Sequence, residues 1–224
     1  MKTFVIGDIH GAYRALKQCL ERSGFDYGKD RLVVLGDVAD GWREVAESFE
    51  ELLKIRNLVY VRGNHDQWLA QWLEHGEQPL IWTIQGGLNS IRSYLENPEL
   101  MKKHLDFLKS TKCYFIDEER RVYVHGGIKP DTPVEETEEQ YLMWDRDLFV
   151  YRHEYDEIPR YREVYVGHTS IWRESHEPLK HGNVYFMDTG GGWEGKVSIM
   201  DVATKQFWQS DVVTDLYPGE RGRF

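Results

Sequence analysis

A short apolar run recurs three times in the first third of the chain, and each run ends in glycine followed by a polar residue. The runs at 4–6, 32–35 and 58–61 predict β-strands, and the amphipathic stretches at 12–22 and 45–55 predict helices between them. This alternation is typical of successive β-α-β units. Because the carboxyl ends of parallel strands line the ligand crevice of such a sheet, the three polar clusters are predicted to converge.

The rest of the chain is less regular. Apolar spacing at 67–110 predicts mostly helices, and the second half is richer in strands. Further strands are predicted at 114–116, 122–124, 163–166, 184–187 and 197–200. No repeat, low-complexity segment or linker divides the sequence, so we predict an α/β fold in a single domain that spans 1–224. The tail after Asp215 is predicted to be loosely held.

The charge balance restricts the partners. The chain has 38 acidic and 28 basic residues and a formal net charge of -10, which repels polyanions and disfavours a nucleic-acid surface. Cys19 and Cys113 lie in segments predicted to be a helix and a strand, which indicates reduced core thiols. No apolar stretch is long enough to cross a bilayer, and the first polar motif leaves no room for a signal peptide. We therefore expect a soluble, cytoplasmic protein without a membrane partner.

Side chains that commonly bind metals follow five of the predicted strands. The six candidates are Asp8, His10, Asp37, Asn64, His125 and His168. Asp8 and His10 are two residues apart on an extended chain and point the same way, so one cation could bind both. Taken singly, each candidate is more often a turn residue or a structural histidine. Their repetition at strand ends favours a site for two divalent metals of the Mn, Fe or Zn type.

Five blocks of the sequence resemble, in order, the signature motifs of the calcineurin-like metallophosphoesterases. The blocks are GDIHG at 7–11, GDVAD at 36–40, GNHD at 63–66, HGG at 125–127 and GHT at 167–169. The most similar subgroup is the phosphoprotein phosphatase family, with its small bacterial and phage-type members and the related diadenosine tetraphosphate hydrolases. The similarity runs from about residue 4 to residue 201. It implies a two-sheet β-sandwich flanked by helices, with a dimetal centre at the strand ends between the sheets.

The resemblance also implies roles for the candidate ligands. Asp8, His10 and Asp37 would hold one metal, and Asp37 would bridge to a second. The second metal would be completed by Asn64, His125 and His168. Two such ions, with manganese expected and iron or zinc as alternatives, would activate a hydroxide for attack on phosphorus.

Two further residues of the blocks would handle the proton. The family pattern implies that His65 is the general acid that protonates the leaving oxygen, while Asp40 fixes its tautomer and orientation. From the sequence alone, Asp40 could also be the N-cap of the helix that starts at Val45.

Phosphate binding also requires cationic donors. Arg62, directly before the GNHD block, resembles the phosphate-binding arginine of the family, and Arg146 resembles the arginine of a phage-type segment. An exposed salt bridge is the alternative for Arg146. The family has an arginine directly after Asp40, but this sequence has Gly41. The contact is therefore either absent or supplied by Arg43 from a shifted position.

These features lead to three functional hypotheses. The first is a phosphomonoesterase acting on Ser/Thr phosphoproteins, which the protein-phosphatase form of the HGG block favours; small phosphate esters would also be accepted. The alternative is hydrolysis of diadenosine tetraphosphate or another nucleotide at the same centre. The third, a non-catalytic binding module, is disfavoured because all six ligand positions and the His65–Asp40 pair carry competent residues. The sequence gives no indication of oligomeric state.

Overall fold

The computed structural model describes residues 1–223, and its strands form two five-stranded sheets. In chain order the strands are β1 (Thr3–Ile6), β2 (Arg31–Val34), β3 (Asn57–Tyr60), β4 (Tyr114–Ile116), β5 (Arg121–Val124), β6 (Glu163–Val166), β7 (Leu179–His181), β8 (Val184–Phe186), β9 (Ser198–Asp201) and β10 (Phe207–Gln209). The first sheet has the order β10-β9-β1-β2-β3 and the second β4-β5-β6-β8-β7.

Helices connect and flank these strands. They are α1 (Tyr13–Arg22), α2 (Val45–Leu52), α3 (Asn64–His75), α4 (Leu80–Trp82), α5 (Leu88–Glu96), α6 (Met101–Ser110), α7 (Glu139–Trp144), α8 (Asp147–Val150) and α9 (Val213–Leu216). A π-helical turn at Thr83–Gly87 joins α4 to α5 and is kinked at Gln85 and Gly86, where the backbone is not helical; Gly86 has a φ of 105°. None of the described helices is long and apolar enough to cross a membrane.

Both sheets are parallel at their centres and antiparallel at their edges. In the first sheet β1, β2 and β3 run parallel, and in the second β5, β6 and β8 do so. The carboxyl ends of these parallel strands lie at one edge of each sheet. That edge is where loops can bring side chains from distant parts of the sequence together.

The central strands are apolar on both faces because both faces are covered. In β1, Phe4 and Ile6 pack in the cluster with α1 and α2, whereas Val5 lies in the layer between the sheets. The same layer contains three stacked rings from adjacent strands of the second sheet. The ring centroids of Tyr123 and Tyr165 are 5.0 Å apart and those of Tyr165 and Tyr185 are 4.9 Å apart, with the rings nearly parallel.

The predicted fold class, two sheets flanked by helices, is confirmed. The predicted strands are present to within about one residue at each end, but the polar edge strands β7 and β10 were not predicted. Cys19 and Cys113 are buried and unpaired, as expected. The prediction of a loosely held tail was wrong up to residue 223, because α9 and the fully buried Tyr217 dock this segment on the core, and Phe224 lies outside the described residues. The single domain over 1–224 stays a prediction.

Candidate metal centre

The six candidate ligands converge at the carboxyl ends of the parallel strands. Each is at most 4% exposed. The donor atoms of Asp8, His10 and Asp37 lie within 4.8 Å of one another, and so do those of Asp37, His125 and His168. Asp37 therefore belongs to both groups. We call these residues, together with Asn64, the metal cluster.

The backbone around the cluster is held in an uncommon conformation. His10, Asp37, Asp40 and His168 have positive φ angles of 50°, 50°, 70° and 62°, and they are four of the six such non-glycine residues in the described chain. The N–H groups of Ile9 and His10 both donate to the carbonyl oxygen of Asp37, which ties the first two loops together. Residues held in this region cost about 1–3 kcal/mol each, and they tend to occur at functional sites.

Two glycines of the motif blocks are required by close packing against the carboxylates. A Cβ on Gly63 would lie 2.1 Å from Asp37 Oδ1, and one on Gly167 would lie 2.3 Å from Asp8 Oδ1. The N–H of His65 donates to Asp37, and that of His168 donates to Asp8. Each carboxylate is thus oriented by a loop that carries another ligand of the cluster. A larger residue in place of Gly63 or Gly167 would displace that carboxylate.

Each histidine of the cluster has one ring nitrogen engaged by a backbone carbonyl. The contacts are His10 Nδ1 to Ala39 O at 2.9 Å, His125 Nδ1 to Leu35 O at 2.7 Å and His168 Nε2 to Trp144 O at 3.1 Å. A carbonyl oxygen only accepts, so the engaged nitrogen carries a proton, and in the neutral ring the other nitrogen presents a lone pair. This arrangement is typical of histidines that bind metals.

Nitrogen and oxygen atoms that can bind a cation meet at the centre of the cluster. His125 Nε2 lies 3.0 Å from Asn64 Oδ1, 3.1 Å from His168 Nδ1 and 3.2 Å from Asp37 Oδ2. Asp37 Oδ2 is buried and has no hydrogen-bond partner among the described residues. Acceptors this close repel one another unless a proton on His125 Nε2 or a metal ion lies between them. The donor set of carboxylates, imidazoles and an amide therefore fits divalent metal ions.

The charges of the cluster also favour a bound cation. Burial opposes protonation of His125, yet the neighbouring Asp37 carboxylate raises the pKa of His125 to about 9. Burial and the nearby Asp188 raise the pKa of Asp8. The cluster therefore attracts positive charge. Asp188 was not identified in the sequence, although it directly follows a predicted strand as the other site residues do.

His65 and Asp40 form a buried pair beside the cluster. His65 Nδ1 lies 2.6 Å from Asp40 Oδ2, and Asp40 also accepts from Trp82 Nε1 at 2.8 Å and Ser90 Oγ at 2.6 Å. Burial lowers the pKa of His65 to about 3 and raises that of Asp40 to about 8, so burial disfavours the charged form of each group. His65 Nε2 is buried without a partner in the described chain. The N-cap of α2 is Glu44, so Asp40 does not cap that helix.

Arg62 does not face the cluster, which corrects its predicted contact with phosphate. Its Nε donates to Thr111 Oγ1 at 3.0 Å, and its terminal nitrogen donates to the carbonyl oxygens of Leu108 and Thr111 at 3.2 and 2.7 Å. These carbonyls belong to the C-terminal end of α6. The side chain therefore satisfies a helix end, where a positive charge is favourable.

Arg43 does not replace the missing arginine either. Its side chain is 56% exposed and lies 3.5 Å from Glu220 Oε1. The preceding residue, Trp42, turns inward instead: its Nε1 donates to Gly191 O at 2.8 Å, and its ring stacks on Tyr217. With Trp42 occupying the interior, Arg43 is directed to the surface.

Two other guanidinium groups do reach the cluster. Arg146 donates to His168 O at 3.0 Å and to Thr169 Oγ1 at 3.2 Å, and no acidic partner for it is present in the described chain. Arg223 NH1 lies 3.1 Å from His10 Nε2. Both arginines line one cavity of about 270 Å³ next to His168. Arg223 was missed because it belongs to no motif and lies far from the cluster in sequence.

The sequence matches the family model of calcineurin-like phosphoesterases over residues 1–194. The chain belongs to this family. Curated relatives share about a third of the aligned residues with this chain. The symmetrical bis(5'-nucleosyl)-tetraphosphatase of Pseudomonas fluorescens strain SBW25 is 36% identical over 132 residues, which is 58% of this chain and 44% of the relative. That of Pseudomonas entomophila strain L48 is 35% identical over 133 residues, with the same coverage. The chain thus spans less than half the length of these relatives.

Solved structures of the same architecture cover nearly all of this phosphoesterase. A protein serine/threonine phosphatase from Saccharomyces cerevisiae superimposes with a TM-score of 0.64 and 13% identity, covering 95% of this chain and 80% of its own. A cold-active protein-tyrosine phosphatase from a Shewanella species gives 0.62 and 16%, with 99% and 80% coverage. At such low identity these similarities establish the fold alone.

Proposed function

We propose that this phosphoesterase hydrolyses phosphate esters or anhydrides with two divalent metal ions bound by the metal cluster. The observation that carries the proposal is the convergence of potential ligand atoms around His125 Nε2, with Asp37 shared between the two groups of donors. Asp8, His10 and Asp37 would hold one ion. Asp37, Asn64, His125 and His168 would hold the other. Ions in this arrangement supply an activated water and neutralise phosphoryl oxygens.

The residues beside the cluster support a matching role in proton transfer. His65 Nε2 is the unpartnered nitrogen, so it is the atom available to donate a proton to the leaving oxygen. As that proton leaves, the hydrogen bond between Nδ1 and Asp40 can return one to the ring. Asp40 then becomes a carboxylate, which the donors Trp82 and Ser90 stabilise. Arg146, at the rim, would donate to a phosphoryl oxygen.

For the substrate we propose a nucleoside polyphosphate of the diadenosine tetraphosphate type. The relatives named as tetraphosphatases support this class. Trp172 and Trp193 also line the cavity that contains Arg146 and Arg223, and they offer aromatic surface for a nucleobase next to cations for its phosphates. Hydrolysis of Ser/Thr phosphoproteins, the first hypothesis from the sequence, stays a prediction.

The glycine pair of the HGG block, which favoured a phosphoprotein substrate, has a structural role that does not involve substrate. A Cβ on Gly126 would lie 2.8–2.9 Å from the backbone of Met143, Trp144 and Asp145, and one on Gly127 would lie 2.9 Å from Asp145 Oδ1. The glycine pair therefore lets the segment before Arg146 pack closely on the loop. It positions Arg146 whichever substrate is bound.

The experiment is metal removal followed by a substrate panel. We expect the metal-free protein to be inactive and Mn²⁺ to restore more activity than Mg²⁺, because imidazole-rich sites prefer softer cations. The restored enzyme should then hydrolyse diadenosine tetraphosphate with a higher kcat/KM than it does a phosphoserine peptide, a mononucleotide or a phosphodiester. Full activity in protein shown by elemental analysis to lack metals would refute the mechanism. A preference for the phosphopeptide would refute the substrate class and leave the mechanism intact.

A further inference from the structure

We propose that Arg223 supplies a guanidinium that binds the substrate's phosphoryl group, in place of the arginine that the family carries directly after Asp40. This proposal rests on the proposed function, because it requires phosphate to bind at the metal cluster. Arg223 reaches the cluster from the segment 219–223, which is 213 residues from its contact His10.

The position after Asp40 has no room for a side chain. Gly41 has a φ of 78°, and a Cβ there would lie 2.8 Å from both the Cβ and the carbonyl oxygen of His10. From the other side, Gly86 of the π-helical turn packs so closely that its own Cβ would lie 2.4 Å from the nitrogen of Gly41. The close packing of these two glycines excludes an arginine at position 41, so any second guanidinium at the site comes from another part of the chain.

The segment 219–223 is held in place beside the cluster by backbone contacts. The N–H of Arg223 donates to Gly192 O at 2.8 Å. A Cβ on Gly222 would lie 2.4 Å from the same carbonyl oxygen and 2.9 Å from the ring of Trp42. Upstream of it, Tyr217 stacks on Trp42 with ring centroids 4.9 Å apart. The path of the backbone is therefore defined up to the arginine.

The side chain of Arg223 then passes between two glycines to reach the cluster. Its Cδ lies 3.0 Å from the position of a Cβ on Gly192, and its Cγ lies 3.6 Å from that on Gly86. A side chain at position 192 would also collide with the ring of His10, 2.5 Å away. Gly192 thus leaves space for the guanidinium and the histidine together.

The guanidinium is oriented but only partly satisfied. One terminal nitrogen donates to Gln85 Oε1 at 2.8 Å, and the other lies 3.1 Å from His10 Nε2. Its Nε is buried and has no partner among the described residues. No carboxylate within salt-bridge distance of Arg223 is present in the described chain. A half-buried guanidinium that is held in place and has a free donor is suited to an anionic ligand.

Arg146 and Arg223 line the same cavity. Burial lowers the pKa of Arg146, and the positive charge of Arg223 lowers it further. Ser170 Oγ, which is buried and unpartnered in the described part of the chain, lines it too. Two guanidinium groups on one small cavity repel each other unless an anion binds between them. A phosphoryl group, with several oxygens, can accept from both.

The test compares Arg223→Ala and Arg223→Lys with Arg221→Ala, an exposed arginine two residues earlier in the same segment. The affinity of the Mn²⁺-loaded protein for inorganic phosphate is measured by titration calorimetry, and bound manganese is measured by elemental analysis. We expect Arg223→Ala to weaken phosphate binding by about 10- to 100-fold, as for loss of a charged hydrogen bond. Arg223→Lys should recover only part of this, because an ammonium lacks the planar set of donors. Arg221→Ala should bind phosphate with the affinity of the wild type, and the manganese content should be the same in all of these proteins.

Three outcomes would overturn the proposal. Phosphate affinity in Arg223→Ala equal to that of the wild type would show that the guanidinium does not contact phosphate. Tighter manganese binding with unchanged phosphate affinity would show that it competes with metal for His10. Loss of manganese and of thermal stability in both Arg223 variants would show a purely structural role. If the wild-type protein itself bound neither manganese nor phosphate, the proposed function would fail, and this proposal with it.

Discussion

The metal cluster and the arginines near it occupy the same end of the fold but are built in different ways. Ligands of the cluster lie one to four residues past the end of a strand, and their glycine neighbours let the loops approach closely. The arginines come from a strand-to-helix loop, a surface loop, a helix terminus and the segment 219–223, and only two of the four face the cavity. The local backbone determines the positions of the ligands. The direction of each arginine side chain is determined by contacts with residues that are distant in sequence.

This difference implies that the ligands of the metal cluster and the arginines tolerate substitution unequally. A cluster residue is constrained by its own carbonyl contacts and by the positive φ angles of its loop, so its replacement disturbs several ligands at once. An arginine acts alone, because a long flexible side chain can reach a given point from many backbone positions. The four predictions below test this contrast, from the largest expected effect to the smallest.

Asp37→Asn should have the largest effect. Asp37 belongs to both groups of donors, so the variant should lose manganese at both positions, and kcat should fall by about 10⁴-fold or more. Bound metal is counted by elemental analysis, with Asp106→Asn on the surface of α6 as the control. Loss of a single equivalent of metal would mean that Asp37 is not shared.

His65→Asn should leave the metals in place. Because His65 Nε2 would donate the proton without binding metal, kcat is expected to fall by about 10²–10⁴-fold while the manganese content stays at the wild-type level. His75→Asn, on the exposed end of the same helix, serves as the matched control. An empty metal site in His65→Asn would identify this residue as a ligand rather than the acid.

Arg146→Ala and Arg62→Ala should distinguish an arginine that binds phosphate from one that stabilises the fold. Arg146→Ala is expected to cost about 1.5–3 kcal/mol in kcat/KM, the range for a charged hydrogen bond. Arg62→Ala should leave kcat/KM nearly unchanged and lower the free energy of unfolding by about 1–2 kcal/mol, because the carbonyls at the end of α6 lose their donor. Kinetics and denaturant titration of both variants provide the check. Equal kinetic losses would return Arg62 to the phosphate site.

Arg43→Ala should have the smallest effect. Its partner is Glu220 in an exposed ion pair, and such pairs contribute about 0–1 kcal/mol. We expect kcat/KM within about twofold of the wild type on the same substrate. A loss as large as that of Arg146→Ala would show that Arg43 swings inward when substrate binds.

The sequence predicted what depends on local pattern. Apolar runs that are buried on both faces identify the central strands, and the residues that follow them identify the cluster. The same logic fails for β7 and β10, which are three residues long, lie at sheet edges and are partly polar. It also fails for the end of α2, predicted at residue 55 and found at Leu52.

The arginines lay beyond this kind of reasoning for a physical reason. Family resemblance identified Arg62 as a phosphate ligand, but the end of α6 lies within reach of its side chain and offers three acceptors. Arg223 has no periodic pattern or motif around it. Its position depends on the stacking of Tyr217 on Trp42 and on the space left by Gly192, and neither contact can be inferred from neighbouring residues.

The stacked tyrosines between the sheets have a consequence for ion selectivity. Asp8, His10 and Asp37 extend from one sheet and His125 and His168 from the other, so the spacing of their donor atoms depends on how far apart the sheets lie. Tyr123, Tyr165 and Tyr185 form part of a close-packed layer there, and such layers have low compressibility. The cluster is therefore stiff. A larger cation such as Ca²⁺, which prefers a flexible set of oxygen ligands, would be rejected by the rigidity of the frame as well as by the nitrogen donors.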